Sequence, residues 1–129
     1  MKIKLGEINI ILDNLNKLID KEINIKTSYK LSKLLKHLVN EYNVFDENRI
    51  KLINKYAEKD ENNEVRINKE NNSIIITDNN KDKFNKEINE LVNIEIEIFI
   101  EKIRLDDLGE IMVSPRDLFN LDFLFEENI

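Results

Sequence analysis

The sequence is poor in the residues that most enzyme active sites use. It contains no cysteine or tryptophan, one histidine, one proline and two glycines in 129 residues. Without cysteine there are no disulfides or thiolate metal sites, which fits a reducing cytoplasm. Without a glycine-rich loop there is no phosphate cradle of the nucleotide-hydrolase or dinucleotide-binding type. His37 is the only histidine, so it is the only imidazole that could act as the base for a serine nucleophile. We therefore expect a non-enzymatic protein that uses no cofactor.

Long apolar runs and strongly one-sided charge are also missing. The run Ile10-Ile11-Leu12 is too short for a secretory signal, and no stretch approaches the ~20 apolar residues of a membrane span. The 26 acidic and 20 basic residues alternate along most of the chain and give a net charge of −6. This balance opposes general nucleic-acid binding. We expect a cytoplasmic protein with no membrane contact.

The chain is rich in asparagine and isoleucine, with 20 and 21 residues respectively. This bias is typical of an AT-rich genome, so single asparagines are discounted as functional signals. A length of 129 residues predicts a single domain covering 1–129. Residues 1–60 are expected to form its mainly helical part, and residues 61–129 its α+β part.

One long amphipathic helix is predicted from Thr27 to Glu58, with Thr27 or Ser28 as its N-cap. Its apolar stripe, at alternating steps of four and three residues as in a coiled coil, consists of Leu31, Leu35, Leu38, Tyr42, Phe45, Arg49, Leu52 and Tyr56. Arg49 is the one charged residue of the stripe, so we expect an acidic partner for it, either buried within the chain or on another subunit. Such a helix is ~45 Å long, whereas a domain of this size is ~30 Å across. Part of the stripe should therefore stay uncovered, which predicts a homo-oligomer.

Shorter periodic segments complete an α+β prediction, in which a helical hairpin precedes a small antiparallel sheet and short C-terminal helices. The predicted strands are Lys2 to Leu5, the hairpin of Glu64 to Asn68 with Ser73 to Thr77, Ile94 to Ile100, and Glu110 to Val113. A helix from Glu7 to Asp20 and another around Phe84, Ile88, Leu91 and Val92 follow the helical period. Leu105 to Leu108 is a predicted turn. Ser114, Pro115 and Asp117 are a helix start signal.

The start of the long helix is the candidate binding site. Between Lys26 and His37 the chain has four lysines and no acid, whereas residues 86–129 carry 12 acidic and 4 basic residues. Free N–H groups, the helix dipole, hydroxyls and lysines together attract anions, and Tyr29 could stack on a base. The predicted ligand-binding residues are Lys26, Thr27, Ser28, Tyr29, Lys30 and Lys33. Two alternatives stay open: an ordinary solvated face, and a basic surface that meets the acidic strand of another subunit.

Two further patterns are weaker. Asp60, Asn62 and Glu64 have the spacing of a calcium loop, but Val65 stands where the turn needs glycine and Asn71 where a bidentate glutamate is needed. A polar turn before a hairpin is the better interpretation, so no metal site is predicted. The carboxylates of Glu95, Glu97 and Glu101 share one strand face at distances that acid–base pairs use. No other catalytic residue converges on them in the sequence, so a solvated face is expected.

The C-terminal half resembles a class of small phage and prophage proteins. The segments that carry the resemblance are 58–62, 84–91, 94–98, 105–108 and 113–124, the last containing Ser114-Pro115-Arg116-Asp117-Leu118. Those proteins similarly begin with a long helix and end in a "Ser-Pro-x-Asp-Leu … Leu-x-Phe" helix. The resemblance spans about residues 25–127 and implies a phage-encoded accessory protein in the host cytoplasm. Such proteins often inhibit host defence, and some sequester nucleotide-derived immune signals. The alternative is a protein-binding module that inhibits a host enzyme or assists phage assembly.

Overall fold

The computed structural model describes residues 1–127 and confirms the α+β class. In chain order the elements are β1 (Lys2–Lys4), α1 (Ile8–Ile19), α2 (Ile25–Tyr56), α3 (Lys81–Val92), β2 (Glu95–Glu97) and α4 (Pro115–Asn120). Short 3-10 turns lie at Leu5–Glu7, Leu105–Leu108 and Asp122–Leu124. α1 and α2 form the predicted helical hairpin at the N-terminus, and the sheet has two antiparallel strands.

Asn24, and not Thr27 or Ser28, caps the long helix. The side-chain oxygen of Asn24 accepts a hydrogen bond from the Thr27 N–H at 3.0 Å, so α2 begins at Ile25. The amide nitrogen of Asn24 donates to the Asp107 carbonyl at 2.7 Å and thereby ties the cap to the C-terminal half. The predicted cap at Thr27 or Ser28 is therefore wrong. A single asparagine is a weak cap signal in a chain that contains 20 of them. Ser114, in contrast, accepts from the Asp117 N–H as predicted and caps α4.

Replacing Asn24 by alanine should lower the free energy of unfolding by about 1–2 kcal/mol. The substitution removes the N-cap of a 32-residue helix and the bond to Asp107 together. Urea denaturation monitored by circular dichroism measures the loss. Asn43→Ala is the matched control, because Asn43 is exposed within the same helix. Equal effects of the two substitutions would contradict the assignment of the cap.

The apolar stripe of α2 is covered by the rest of the chain. All eight of its residues are buried or half-buried, and α1 and α3 are the main helices packed on α2. The prediction of an uncovered part of the stripe is therefore wrong, because α1, α3 and the turn at Leu5–Glu7 pack on the helix. Arg49 has its counter-charge one helical turn away, since two of its guanidinium nitrogens bond to Asp46 Oδ1 at 2.9 and 2.7 Å.

The isoleucine-rich segment from Ile94 to Ile100 forms a shorter strand than predicted. Its paired part, β2, covers Glu95–Glu97 and runs antiparallel to β1, with Ile3 opposite Ile96. Ile98 adds one more backbone bond, from its N–H to the Met1 carbonyl at 2.8 Å. The ladder ends there because β1 contributes only three residues.

The predicted hairpin is confirmed as two paired segments, and a third segment joins them. Single bridges pair Ile67 with Ile74, Lys59 with Val65, and Ala57 with Ile76. Three backbone bonds close a cycle: Glu58 N–H to the Ile75 carbonyl, Ile75 N–H to the Arg66 carbonyl, and Arg66 N–H to the Glu58 carbonyl, at 2.8, 3.0 and 2.8 Å. The end of the long helix is thereby attached to both arms of the hairpin.

The segment from Glu110 to Val113 is not a strand, contrary to the prediction. It follows Gly109, whose φ of 70° favours glycine. Ile111 and Val113 are half-buried and pack on the core, whereas Met112 is exposed. The alternating apolar pattern of Glu110 to Val113 therefore reflects packing on the core and not pairing with another strand. The core itself includes Leu15 and Leu38 from the helical part together with residues of the C-terminal half.

Near the end of α2, a buried tyrosine and a lysine face Glu87 of α3. The Tyr56 hydroxyl is the main group that lowers the pKa of Glu87 below its usual range, and Lys55, whose Nζ lies 3.5 Å from Glu87 Oε1, contributes in the same direction. A lowered folded-state pKa means that the charged carboxylate stabilises the fold above the unfolded-state pKa. That contribution is lost as the pH falls through the folded-state pKa.

We therefore expect Glu87→Gln to unfold at a lower urea concentration than wild type at neutral pH. The difference should shrink as the pH falls through the folded-state pKa of Glu87, because the carboxyl is then protonated in both states. Equilibrium urea titrations at neutral pH and at a pH below that pKa measure it. Glu90→Gln, at an exposed position of the same helix, should unfold at the same urea concentration as wild type at both pH values. A difference between Glu87→Gln and wild type that persists at low pH would contradict the electrostatic explanation.

Candidate functional site: the basic face of the long helix

The six residues predicted to bind a ligand lie on different sides of α2. Lys26, Tyr29 and Lys33 are exposed, and Lys30 is half-buried. Thr27 is only 4% exposed. The Ser28 hydroxyl donates to the Ile23 carbonyl at 3.1 Å and lines an apolar cleft between α1 and α2. The hydroxyls of Thr27 and Ser28 therefore face the protein, whereas Lys26 and Lys33 face the solvent, because successive residues of a helix are rotated by 100°.

Lys30 and Lys33, but not Lys26, line a groove that the sequence did not indicate. Lys30, Lys33 and His37 of α2 form one wall. The other wall is Glu97, Phe99 and Glu101, from the chain at and after β2. The groove has a volume of about 300 Å³. We call it the α2 groove. It combines three nitrogen-bearing side chains with two carboxylates and one aromatic ring.

Lys33 connects the two walls of the α2 groove. Its Nζ lies 3.2 Å from Glu101 Oε2 and 5.1 Å from the centre of the Tyr29 ring. The basic helix start and the acidic strand face were expected to meet between subunits in one alternative, and this ion pair joins them within one chain. Both partners are about half exposed, so the pair contributes little to stability and a ligand can displace it.

Phe99 is the residue of this groove that sequence reasoning missed. Its side chain is 81% exposed, although it is among the largest apolar residues of the chain. A signal was present, because Phe99 occupies a position on the otherwise acidic face formed by Glu95, Glu97 and Glu101. An aromatic residue on the solvent face of a strand is unusual enough to be tested as a contact residue.

The other patterns have structural explanations. The Asp60 carboxylate accepts hydrogen bonds from the N–H groups of Asn62 and Glu64 at 2.9 and 3.0 Å, so it shapes the turn. Within residues 1–127 no cluster of three acidic or histidine side chains is placed to hold a metal ion. The same part of the chain contains no helix that is both long and apolar enough to cross a membrane.

Comparisons with protein-family models, curated proteins and solved structures found no match to this chain. The resemblance to small phage proteins therefore stays a prediction.

Proposed function

We propose that the protein is a non-enzymatic binding protein that sequesters an anionic, nucleotide-like ligand. In the role that the resemblance implies, it is a phage accessory protein in the host cytoplasm, and the ligand is an immune signal held by a homo-oligomer. The observation that carries the proposal is the α2 groove, where Lys30 and Lys33 face Phe99. Lysines bind phosphate as point charges, and an exposed ring stacks on a base.

The charges around the groove support the phosphate end of this proposal. Lys26, Lys30 and Lys33 are spaced by four and three residues and lie along one side of α2. The ion pair of Lys33 with Glu101 holds the lysine beside Tyr29 and in the same groove as Phe99. A phosphate would replace Glu101 as the partner of Lys33, and Glu101 would then turn to solvent.

Calorimetry against a panel of cyclic nucleotides and ADP-ribose derivatives tests the ligand. We expect one member to bind, and the double variant Lys26→Glu with Lys30→Glu to lose that binding by at least about tenfold. The control is Lys36→Glu with Lys51→Glu, which makes the same change in net charge at two other exposed positions of α2. The proposal fails if no member binds, or if both double variants bind as wild type does.

Native mass spectrometry of protein purified from host cells tests whether the protein is a homo-oligomer and whether it retains a ligand. We expect a mass above the 15.4 kDa of the monomer, together with a retained small molecule. The covered stripe of α2 no longer supports self-association, so the exposed apolar side chains of α2, such as Val44 and Ile50, are the surfaces to examine first. A monomer at high protein concentration would remove the oligomer from the proposal.

A protein-binding module is the second candidate, as an inhibitor of a host enzyme or an assembly factor. Phe99 favours it, because a large apolar side chain that is almost fully exposed is typical of contact surfaces. A pull-down from host lysate with Phe99→Ala as the negative control separates this candidate from the first, because a sponge needs no protein partner.

A further inference from the structure

The chain between Ile98 and Ile103 has an unusual lack of backbone pairing. Within the described residues, no backbone hydrogen bond involves the N–H or C=O groups of Phe99, Ile100, Glu101 or Lys102. The segment contains no helix, turn or bend, and its burial alternates at first as in a strand. Ile98 pairs with Met1, and Ile103 pairs with Leu124 and Glu126. Four residues between two anchored ends therefore have peptide groups without a backbone partner, as at the open edge of a sheet.

Continuous depressions follow this open segment, which is defined here as 99–102. Phe99 lines the α2 groove and also a second depression of about 440 Å³ that contains Lys102 and Phe123. A third, of about 700 Å³, shares Lys102 and Phe123 with the second and continues to Arg104 and Phe125. Neighbouring depressions therefore share lining residues, and the row of three along the open segment is called the trough. Its elongated form suits an extended chain better than a compact ligand.

The register of β2 defines which groups of the open segment point outward. The backbone groups of Ile96 and Ile98 point to β1, as the bond from Ile98 to Met1 shows. In an antiparallel ladder alternate residues point to opposite edges. Glu97, Phe99 and, if the same geometry continues, Glu101 therefore present their N–H and C=O groups to the free edge. Those groups are the ones that an added strand would pair with.

We propose that the open segment 99–102 accepts an extended peptide of a partner protein by strand addition. The peptide side chains that face Glu97, Phe99 and Glu101 are basic, apolar and basic in turn, and they occupy every second position of the peptide because cross-strand partners share one face. The free peptide groups supply the main-chain bonds, and the Phe99 ring packs on an apolar side chain. The basic side chains follow from charge, because Glu97 and Glu101 flank Phe99 and each already binds a cation: the Met1 ammonium lies 3.1 Å from Glu97 Oε1, and Lys33 Nζ lies 3.2 Å from Glu101 Oε2. Basic side chains of an added strand would replace these two exposed partners. This inference does not depend on nucleotide binding.

A second copy of the chain is a poor occupant of the same edge. Two β2 edges paired antiparallel about Phe99 would place Glu97 of one copy opposite Glu101 of the other, and like charges directly opposite are destabilising. The free edge of β1 carries Lys2 and Lys4 and opposes pairing with itself for the same reason. Lysines at a free edge are also a common protection against aggregation.

The test uses two heptapeptides with blocked ends, Thr-Lys-Thr-Phe-Thr-Lys-Thr and its acidic counterpart Thr-Glu-Thr-Phe-Thr-Glu-Thr, which place both charged side chains and the ring on one face. Binding is measured by NMR titration of the full chain, and amide hydrogen exchange identifies the edge. We expect the basic peptide alone to bind and to slow exchange at Phe99 and Glu101 but not at Ile100. Phe99→Ala should weaken binding about tenfold or more. Phe119→Ala is the matched control, because Phe119 is 80% exposed and outside the trough.

Lys33→Ala separates this proposal from nucleotide binding. Removal of Lys33 frees Glu101, so the basic peptide should bind about threefold more tightly, whereas an anionic ligand should bind more weakly. The strand-addition proposal is overturned if neither peptide binds, if the acidic peptide binds equally well, or if Phe119→Ala weakens binding as much as Phe99→Ala. Protection of Phe99 that rises with protein concentration in the absence of peptide would assign the edge to a second copy and overturn it as well.

Discussion

Replacing Leu38 by alanine should lower the free energy of unfolding by about 3 kcal/mol, within the range of about 2–5 kcal/mol for buried leucines. Leu38 is 0% exposed and lies in the main hydrophobic cluster. It occupies the middle of the apolar stripe of α2, where the long helix contacts the rest of the core. The substitution removes the transfer free energy of the lost methyl and methylene groups and leaves a cavity, because the surrounding residues come from several elements and cannot all move inward.

Val39→Ala is the control for this prediction, since Val39 is the next residue in the same helix and is 38% exposed. Its effect should stay below about 1 kcal/mol, because alanine has the higher helix propensity and little buried area is lost. Urea denaturation followed by circular dichroism measures both variants. If Val39→Ala cost more than Leu38→Ala, the helix would be rotated relative to its place in this structure.

The helices were predictable because each carries its own signal. The stripe of α2 and the Ser114 cap of α4 are local features, and the structure places both where the sequence predicts them. The extent of β2 was not predictable, since it depends on a partner strand of three residues far away in the chain. Glu110 to Val113 shows the same difficulty, because an alternating pattern describes burial and not pairing.

The candidate site was predicted only in part. The sequence identified the basic side of α2, since its lysines recur at helical spacing. It could not show that Thr27 is buried or that the Ser28 hydroxyl bonds to the Ile23 carbonyl, because both depend on how α1 packs on α2. Nor could it place Phe99 beside Lys30, as that contact joins segments nearly seventy residues apart. The role of Asn24 as the N-cap was not predictable for a different reason. Asparagine is so frequent in this chain that no single one stands out in the sequence.

Ile98→Ala should cost about 3 kcal/mol of unfolding free energy, whereas Ile94→Ala should cost less than about 1 kcal/mol. The two residues have the same side chain and lie on the same face of the alternating segment. Ile98 is 0% exposed and packed in the core, while Ile94 is 47% exposed. Urea denaturation of the two variants compares them directly.

This pair of substitutions tests the register on which both proposals depend. The pairing of Ile3 with Ile96 places Ile98 in the core and therefore directs the next residue, Phe99, to the solvent. If the strand were displaced by two residues, another isoleucine of the same face, such as Ile96, would replace Ile98 as the deepest residue, and Phe99 would lie at a different place along α2. Equal losses for Ile94→Ala and Ile98→Ala would contradict the observed register. A large loss for Ile98→Ala alone would support the placement of Phe99 between the α2 groove and the rest of the trough.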